Sequence, residues 1–117
     1  MSYPVAYLTT LLVEVPLLVL VSWALGWLRR VGLPRTLLAG LLANLTHPVL
    51  WWLTAGAPLS TVLVAEVGAV LVEGVVLMAL VRHWGVARAT WGTGLLIALF
   101  TNCVSFLAGL TLAVAPA

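Results

Sequence analysis

The acidic residues of this sequence are its strongest candidates for chemistry, because all of them fall within long apolar stretches. The 117-residue chain contains three acids, and these are Glu14, Glu66 and Glu73. A carboxylate at the centre of a membrane-spanning helix costs about 2.5–3.5 kcal/mol on insertion scales. Ionisable residues kept at that cost are functional-site candidates by default. The three acids therefore predict a site that handles cations or protons.

Further polar residues accompany the acids at spacings that favour a common site. Asn44 and His47 are three residues apart, as are Asn102 and Ser105, so each pair shares one face of a helix. At 1.5 Å per helical residue, the polar side chains of all the apolar stretches lie about 10–22 Å from the same end of the predicted bundle. The predicted ion- or proton-binding residues are Glu14, Asn44, His47, Glu66, Glu73, Asn102 and Ser105.

Some of these residues also suit a metal ion. Carboxylate oxygens combined with one imidazole fit manganese, iron or zinc. Pro48 lacks an N–H group, so it should leave the carbonyl of Asn44 without a helical partner and free to act as a further oxygen ligand. The alternatives are that His47 carries protons or only pairs with a glutamate, and that the asparagines only join helices. The predicted metal ligands are Glu14, His47, Glu66 and Glu73.

The composition indicates an integral membrane protein. Hydrophobic residues make up 64% of the chain and charged residues 7%, against about 45–50% and about 25% in soluble domains. A chain this short cannot bury so much apolar surface in one water-facing core. This excludes a soluble enzyme, a nucleic-acid-binding domain and a disordered regulator, and it makes the lipid bilayer the expected partner. The single Cys103 cannot close an intramolecular disulfide, and we find no hydrolase or nucleotide-binding motif.

Four apolar stretches are long enough to span a membrane, which takes about 20 helical residues. We predict spans at about 4–28, 35–54, 58–81 and 91–114, all within a single transmembrane domain that covers residues 1–117. The connectors between them are short, so consecutive helices should be antiparallel neighbours. The predicted fold class is all-α, an integral membrane four-helix bundle.

The basic residues predict the orientation of the bundle. They flank the first and third connectors, while the other end, with Met1, the second connector and Ala117, has no charged side chain. By the positive-inside rule, the arginine loops are cytoplasmic and both termini lie outside, in a bacterial inner or plasma membrane. The basic residues are Arg29, Arg30, Arg35, Arg82 and Arg88.

The two halves of the chain resemble each other at an offset of about 58 residues. The matches include residue types that are rare in this sequence, which makes them more informative than matches of leucine or valine. The pattern predicts a tandem duplication of a two-helix hairpin, with the halves related by an axis along the membrane normal. Pro16 and Pro48 have no counterparts in the second half. The aligned pairs are Glu14 with Glu73, Arg30 with Arg88, Asn44 with Asn102, and His47 with Ser105.

These features favour a cation- or proton-handling transporter or channel component. Four helices enclose little space, so we expect a homo-oligomer in that case. One alternative is a non-catalytic accessory subunit whose polar groups face the helices of other membrane subunits. Another is a membrane-embedded enzyme that acts on a lipid or a quinone, which would need a cleft open to the bilayer beside His47. Since the first two classes are not enzymes, a non-enzymatic role is favoured.

Overall fold

The protein is all-helical in its computed structural model, which describes residues 3–114. These residues form six helices and no strand. Met1 and Ala117, which the sequence predicts to lie on the outer side, are outside the described residues. The helices are α1 (Tyr3–Ala24), α2 (Leu28–Val31), α3 (Leu33–Ala43), α4 (Thr46–Thr54), α5 (Leu59–His83) and α6 (Trp91–Val114).

Four long helical segments, which we call rods, build the bundle. They are α1, the pair α3 and α4, α5, and α6. Around the bundle, α1 packs against α3 and α6, while α5 packs against α3, α4 and α6. The predicted four-helix bundle is thus confirmed, with each rod long and apolar enough to span a membrane. The first helix ends at Ala24, earlier than predicted, and Gly26 in the following turn has a φ of 76°. The candidate spans are Pro4–Ala24, Leu33–Thr54, Leu59–His83 and Trp91–Gly109.

Large apolar side chains face outward from the bundle, and several polar side chains face inward. Trp52, Val64 and Phe106 are each at least 70% exposed. The buried residues, by contrast, include small ones such as Ala39 and polar ones such as Thr36. Helix packing in membranes has this composition, because small residues let backbones approach and polar groups bond between helices.

One end of the bundle is closed by apolar packing. We call it the arginine end, and it comprises the two connectors at residues 25–32 and 84–90 with the helix ends beside them. Val31, Val81 and Val86 are buried there. The guanidinium carbon of Arg35 lies 5.9 Å from the ring centroid of Trp84, within the range of a cation–π contact. The opposite end, with the connector at residues 55–58, is called the arginine-free end below.

Helices α5 and α6 approach closely at two glycines. A Cβ atom on Gly94 would lie 2.8 Å from the carbonyl oxygen of Gly74 and would collide with the Met78 side chain. A Cβ atom on Gly74 would in turn lie 3.0 Å from the side chain of Leu95. Only glycine permits this approach. Because Glu73 is the neighbour of Gly74 in α5, the contact also holds Glu73 against α6.

Candidate functional site

The break between α3 and α4 lies at the centre of the polar region. Asn44 ends α3, and both its backbone N–H and its side-chain Nδ2 donate to the carbonyl oxygen of Gly40, at 3.2 and 2.8 Å. Pro48 follows in the first turn of α4 and supplies no N–H group. The predicted loss of a helical hydrogen bond at this point is therefore accompanied by an interruption of the helix.

The carbonyl of Asn44 is not free for a ligand, contrary to our prediction. Its oxygen accepts a hydrogen bond from the Tyr7 hydroxyl at 3.2 Å and one from the backbone N–H of His47, also at 3.2 Å. A carbonyl oxygen has two lone pairs, so these donors occupy both. The prediction fails because of contacts that form only in the folded bundle. Helix α1 brings the Tyr7 hydroxyl to the break, and the first turn of α4 brings the N–H of His47 to the same carbonyl.

Three ionisable side chains converge from three helices. Glu14 comes from α1, His47 from α4 and Glu73 from α5, and one ligand atom from each lies within 4.8 Å of the other two. The Nε2 atom of His47 is 3.4 Å from Oε1 of Glu73 and 3.9 Å from Oε1 of Glu14. Both acids are buried, with 2% and 3% of their surfaces exposed. We call these three residues the central cluster.

Glu73 is held in place by hydrogen bonds to both of its carboxylate oxygens. The Thr46 hydroxyl donates to Oε1 at 3.0 Å, and the side-chain amide of Asn102 donates to Oε2. Asn102 is itself fixed, because its amide also donates to the carbonyl of Ala98 at 2.7 Å. Glu73 is therefore a positioned acceptor within the central cluster.

Glu14 has the opposite surroundings. Both of its carboxylate oxygens are buried without a hydrogen-bond partner, although the side chains of Asn44 and Ser105 face them. Across residues 3–114, the other buried side-chain atoms without a partner are Oδ1 of Asn44 and Nε2 of His47. Oδ1 of Asn44 is an acceptor, the two Glu14 oxygens are acceptors when the carboxyl group is ionised, and Nε2 is an acceptor when the imidazole carries its proton on Nδ1. The site thus concentrates hydrogen-bonding capacity that the surrounding protein groups do not use.

Two cavities lie beside the central cluster. A small one of about 20 Å³ lies between the helices, next to Glu14 and Glu73, and has room for a single particle of the size of water. A cleft of about 750 Å³ reaches from the arginine-free end, where Ala55 and Gly56 line it, down to His47. His47 therefore connects an accessible cleft with two buried carboxylates.

All seven predicted site residues line one of these two cavities. Glu14, Asn44 and Glu73 line the small cavity. The other four line the cleft, and they are His47, Glu66, Asn102 and Ser105. Glu66 is only half-buried and lies outside the central cluster, so the structure does not bring it to the place where the other two acids meet.

Two residues of the site, Tyr7 and Thr46, are not among the seven predicted site residues. Tyr7 supports the Asn44 carbonyl, and Thr46 bonds to Glu73. Tyr7 precedes Glu14 by seven residues, two helical turns on the same face, which was a usable signal. Thr46 adjoins His47 in the chain, but its partner on α5 depends on helix rotation and was not accessible from spacing.

Fold and site together define a class of protein. It is a small all-helical bundle, with four helices long and apolar enough to cross a membrane and a carboxylate–imidazole cluster buried between them. Such a cluster can bind a metal cation or exchange protons. Comparison of the chain with protein-family models, with curated proteins and with solved structures gives no match.

Proposed function

We propose that this protein is a small cation- or proton-handling transporter or channel component of a membrane. The observation that carries the proposal is the carboxylate of Glu14, which is buried without hydrogen-bond partners beside His47 and Glu73. Acceptors left unpaired in a bundle interior are costly unless a ligand occupies them. A cation or a proton is the ligand that such acceptors bind.

The proposed setting is a bacterial inner membrane crossed four times by the chain. The apolar outer surface and the polar interior of the bundle support this setting. The positive-inside rule places the arginine end in the cytoplasm, so the cleft opens to the outside. An ion then enters through the cleft, reaches His47 and passes to the carboxylates of Glu14 and Glu73.

Release towards the cytoplasm requires the arginine end to open. Between the central cluster and that end, the buried side chains of Leu77, Met78 and Ile97 close the interior. Met78 is fully buried beside the glycine contact of α5 and α6. A relative movement of these two helices is the conformational step that we assign to transport.

The proposed tandem duplication gives the site two related halves. Asn44 and Asn102 use the same local arrangement, because each donates its side-chain amide to the carbonyl four residues earlier. Each acid also faces one asparagine and one residue of the aligned pair His47 and Ser105, taken from opposite halves of the chain. Glu14 is faced by Asn44 and Ser105, while Glu73 is faced by Asn102 and His47. This exchange of partners is what a twofold axis between duplicated hairpins would produce.

The proposal is tested by flux into liposomes that contain the purified chain. Entry of protons and of metal ions is followed with trapped indicator dyes, for the wild type, for Glu14→Gln and for the control His83→Asn. His83 is exposed at the arginine end, so its variant should behave as the wild type. Glu14→Gln retains the shape of the side chain but not its charge, and we expect it to reduce flux at least tenfold. Equal flux in Glu14→Gln and the wild type would exclude Glu14 from transport, and no flux in any sample would contradict the proposal.

A second candidate is a membrane-embedded enzyme that acts on a lipid or a quinone. The cleft of about 750 Å³ beside His47 favours it, because ligand sites typically measure about 300–1,000 Å³. In this case His47 and Glu66 would be the acid and base groups that line the cleft. Mass spectrometry of lipids and quinones incubated with the chain distinguishes the two functions. Turnover lost in Glu66→Gln while flux is absent from the wild type would support the enzyme.

A further inference from the structure

We propose that the cation is a divalent transition-metal ion of the Zn²⁺ class, bound by the carboxylates of Glu14 and Glu73 and by Nε2 of His47. The inference rests on the proposed function and names the ion of that same site. It is drawn from the spacing of the ligand atoms, their unfilled bonding capacity, their charge and their chemical type.

Two of the three separations between the ligand atoms are close to those that a small metal ion requires, and all three are within 4.8 Å. Bonds of about 2.0–2.1 Å in a tetrahedral site place neighbouring ligand atoms about 3.3–3.4 Å apart. The Nε2 atom of His47 lies 3.4 Å from Oε1 of Glu73 and 3.9 Å from Oε1 of Glu14. Three protein ligands with a fourth open position make up the usual catalytic or exchangeable form of such a site.

The bonding state of each ligand fits this assignment. Only 2% of the surface of Glu14 is exposed, and both of its carboxylate oxygens lack a hydrogen-bond partner. Nε2 of His47 lacks one as well. Glu73 is already oriented by Thr46 and Asn102, which would be the outer partners that hold a metal ligand in position. The site thus has one positioned ligand and two whose bonding capacity is unused.

Charge favours a divalent ion. Two carboxylates approach a single imidazole, and the ion pairs formed among the described residues all involve that imidazole. The arginines lie at the other end of the bundle and do not compensate these acids. A buried pair of carboxylates with at most one positive partner is costly, and a divalent cation neutralises both.

The type of ligand narrows the choice of ion. An imidazole nitrogen suits zinc and iron, whereas magnesium and calcium prefer all-oxygen sites. The donor set of His47 with two carboxylates therefore points to a transition metal.

Equilibrium dialysis of the full chain in detergent against Zn²⁺ tests the inference, and Co²⁺ serves as a visible probe of coordination geometry. We expect one ion per chain. Glu14→Gln and His47→Asn should weaken binding at least 100-fold, since loss of a ligand exceeds the about 10–100-fold cost of losing an outer partner. His83→Asn removes an imidazole far from the central cluster and should retain one ion with affinity within about threefold of the wild type.

The result that overturns the inference is absence of binding in the folded wild type, or binding that survives both Glu14→Gln and His47→Asn. Thermal unfolding without metal identifies any variant that fails to fold. Glu14→Asp is the second variant, since it keeps a carboxylate, and its affinity should fall between those of the wild type and Glu14→Gln. If zinc does not bind but liposomes still show Glu14-dependent proton flux, the metal is wrong and the proposed function stands. If zinc binds at the cluster but no cation is transported, the site is correct and the transport function is wrong.

Discussion

At the scale of single residues, the two buried acids of the central cluster differ in how they are held. Glu73 accepts hydrogen bonds on both carboxylate oxygens, from Thr46 and Asn102. Glu14 accepts none on either oxygen. One acid is therefore a fixed part of the bundle, whereas the other has unused bonding capacity, which we propose an ion fills.

This difference predicts opposite effects of the same substitution on stability. Glu73→Leu should destabilise the bundle by about 1–3 kcal/mol, because it leaves a partly buried side-chain N–H of Asn102 without its acceptor. Glu14→Leu should be neutral or stabilising, since it removes an unpaired buried carboxylate. Thermal or denaturant-induced unfolding in detergent without metal measures both. Equal destabilisation by the two variants would contradict the assigned roles.

At the scale of helices, close contacts at small residues set the positions of the functional side chains. Gly94 and Gly74 bring α5 and α6 together, one residue away from Glu73. On the other side of the bundle, a Cβ on Gly40 would lie 3.2 Å from the side chain of Val15 in α1. The second rod is interrupted at Asn44, which places His47 at the start of a separate helix.

The glycine contact can be tested with a matched pair of variants. Gly94→Ala should destabilise the bundle by about 1–3 kcal/mol, because the added methyl group collides with Met78 and with the backbone of Gly74. Gly68→Ala makes the same chemical change in α5 where nothing lies within 4 Å, so it should be neutral or slightly stabilising. The unfolding temperatures of the two variants show whether the contact at Gly94 is as close as the structure has it. A Gly94→Ala protein as stable as Gly68→Ala would show that α5 and α6 are not in close contact there.

The depth of the polar residues along their helices could be predicted from the sequence, whereas the contacts among them could not. Three acids in a chain that is 7% charged are conspicuous, and counting along each helix placed them at a common depth. Rotation of each helix about its axis was not accessible, because helices that are apolar nearly all round have no amphipathic pattern to orient them. That is why the partners of Glu73, the occupied carbonyl of Asn44 and the Gly74–Gly94 contact emerged only from the structure.

At the scale of the whole molecule, the interior is asymmetric between its two ends. A cleft leads from the arginine-free end to His47, whereas Met78 and Ile97 are buried between the central cluster and the arginine end. The structure thus represents a state of the bundle in which the site communicates with one end. A transporter needs at least one further state, in which the other end opens.

Reagent accessibility tests this asymmetry. In a Cys103→Ser background, Thr10→Cys places a thiol in the cleft and Ile97→Cys places one in the closed part of the interior. A water-soluble thiol reagent added from the arginine-free side should label Thr10→Cys at least tenfold faster than Ile97→Cys. Similar labelling rates at the two positions, in variants that retain the wild-type unfolding temperature, would contradict a closed arginine end.

The most direct test of the account is native mass spectrometry of the purified chain in gentle detergent, with and without added Zn²⁺. It reports the oligomeric state and the number of bound ions in one spectrum. We predict one zinc ion per chain for the wild type and none for Glu14→Gln under the same conditions. A wild-type chain that takes up no zinc, or a Glu14→Gln chain that takes up as much as the wild type, would contradict a metal site formed by Glu14, His47 and Glu73.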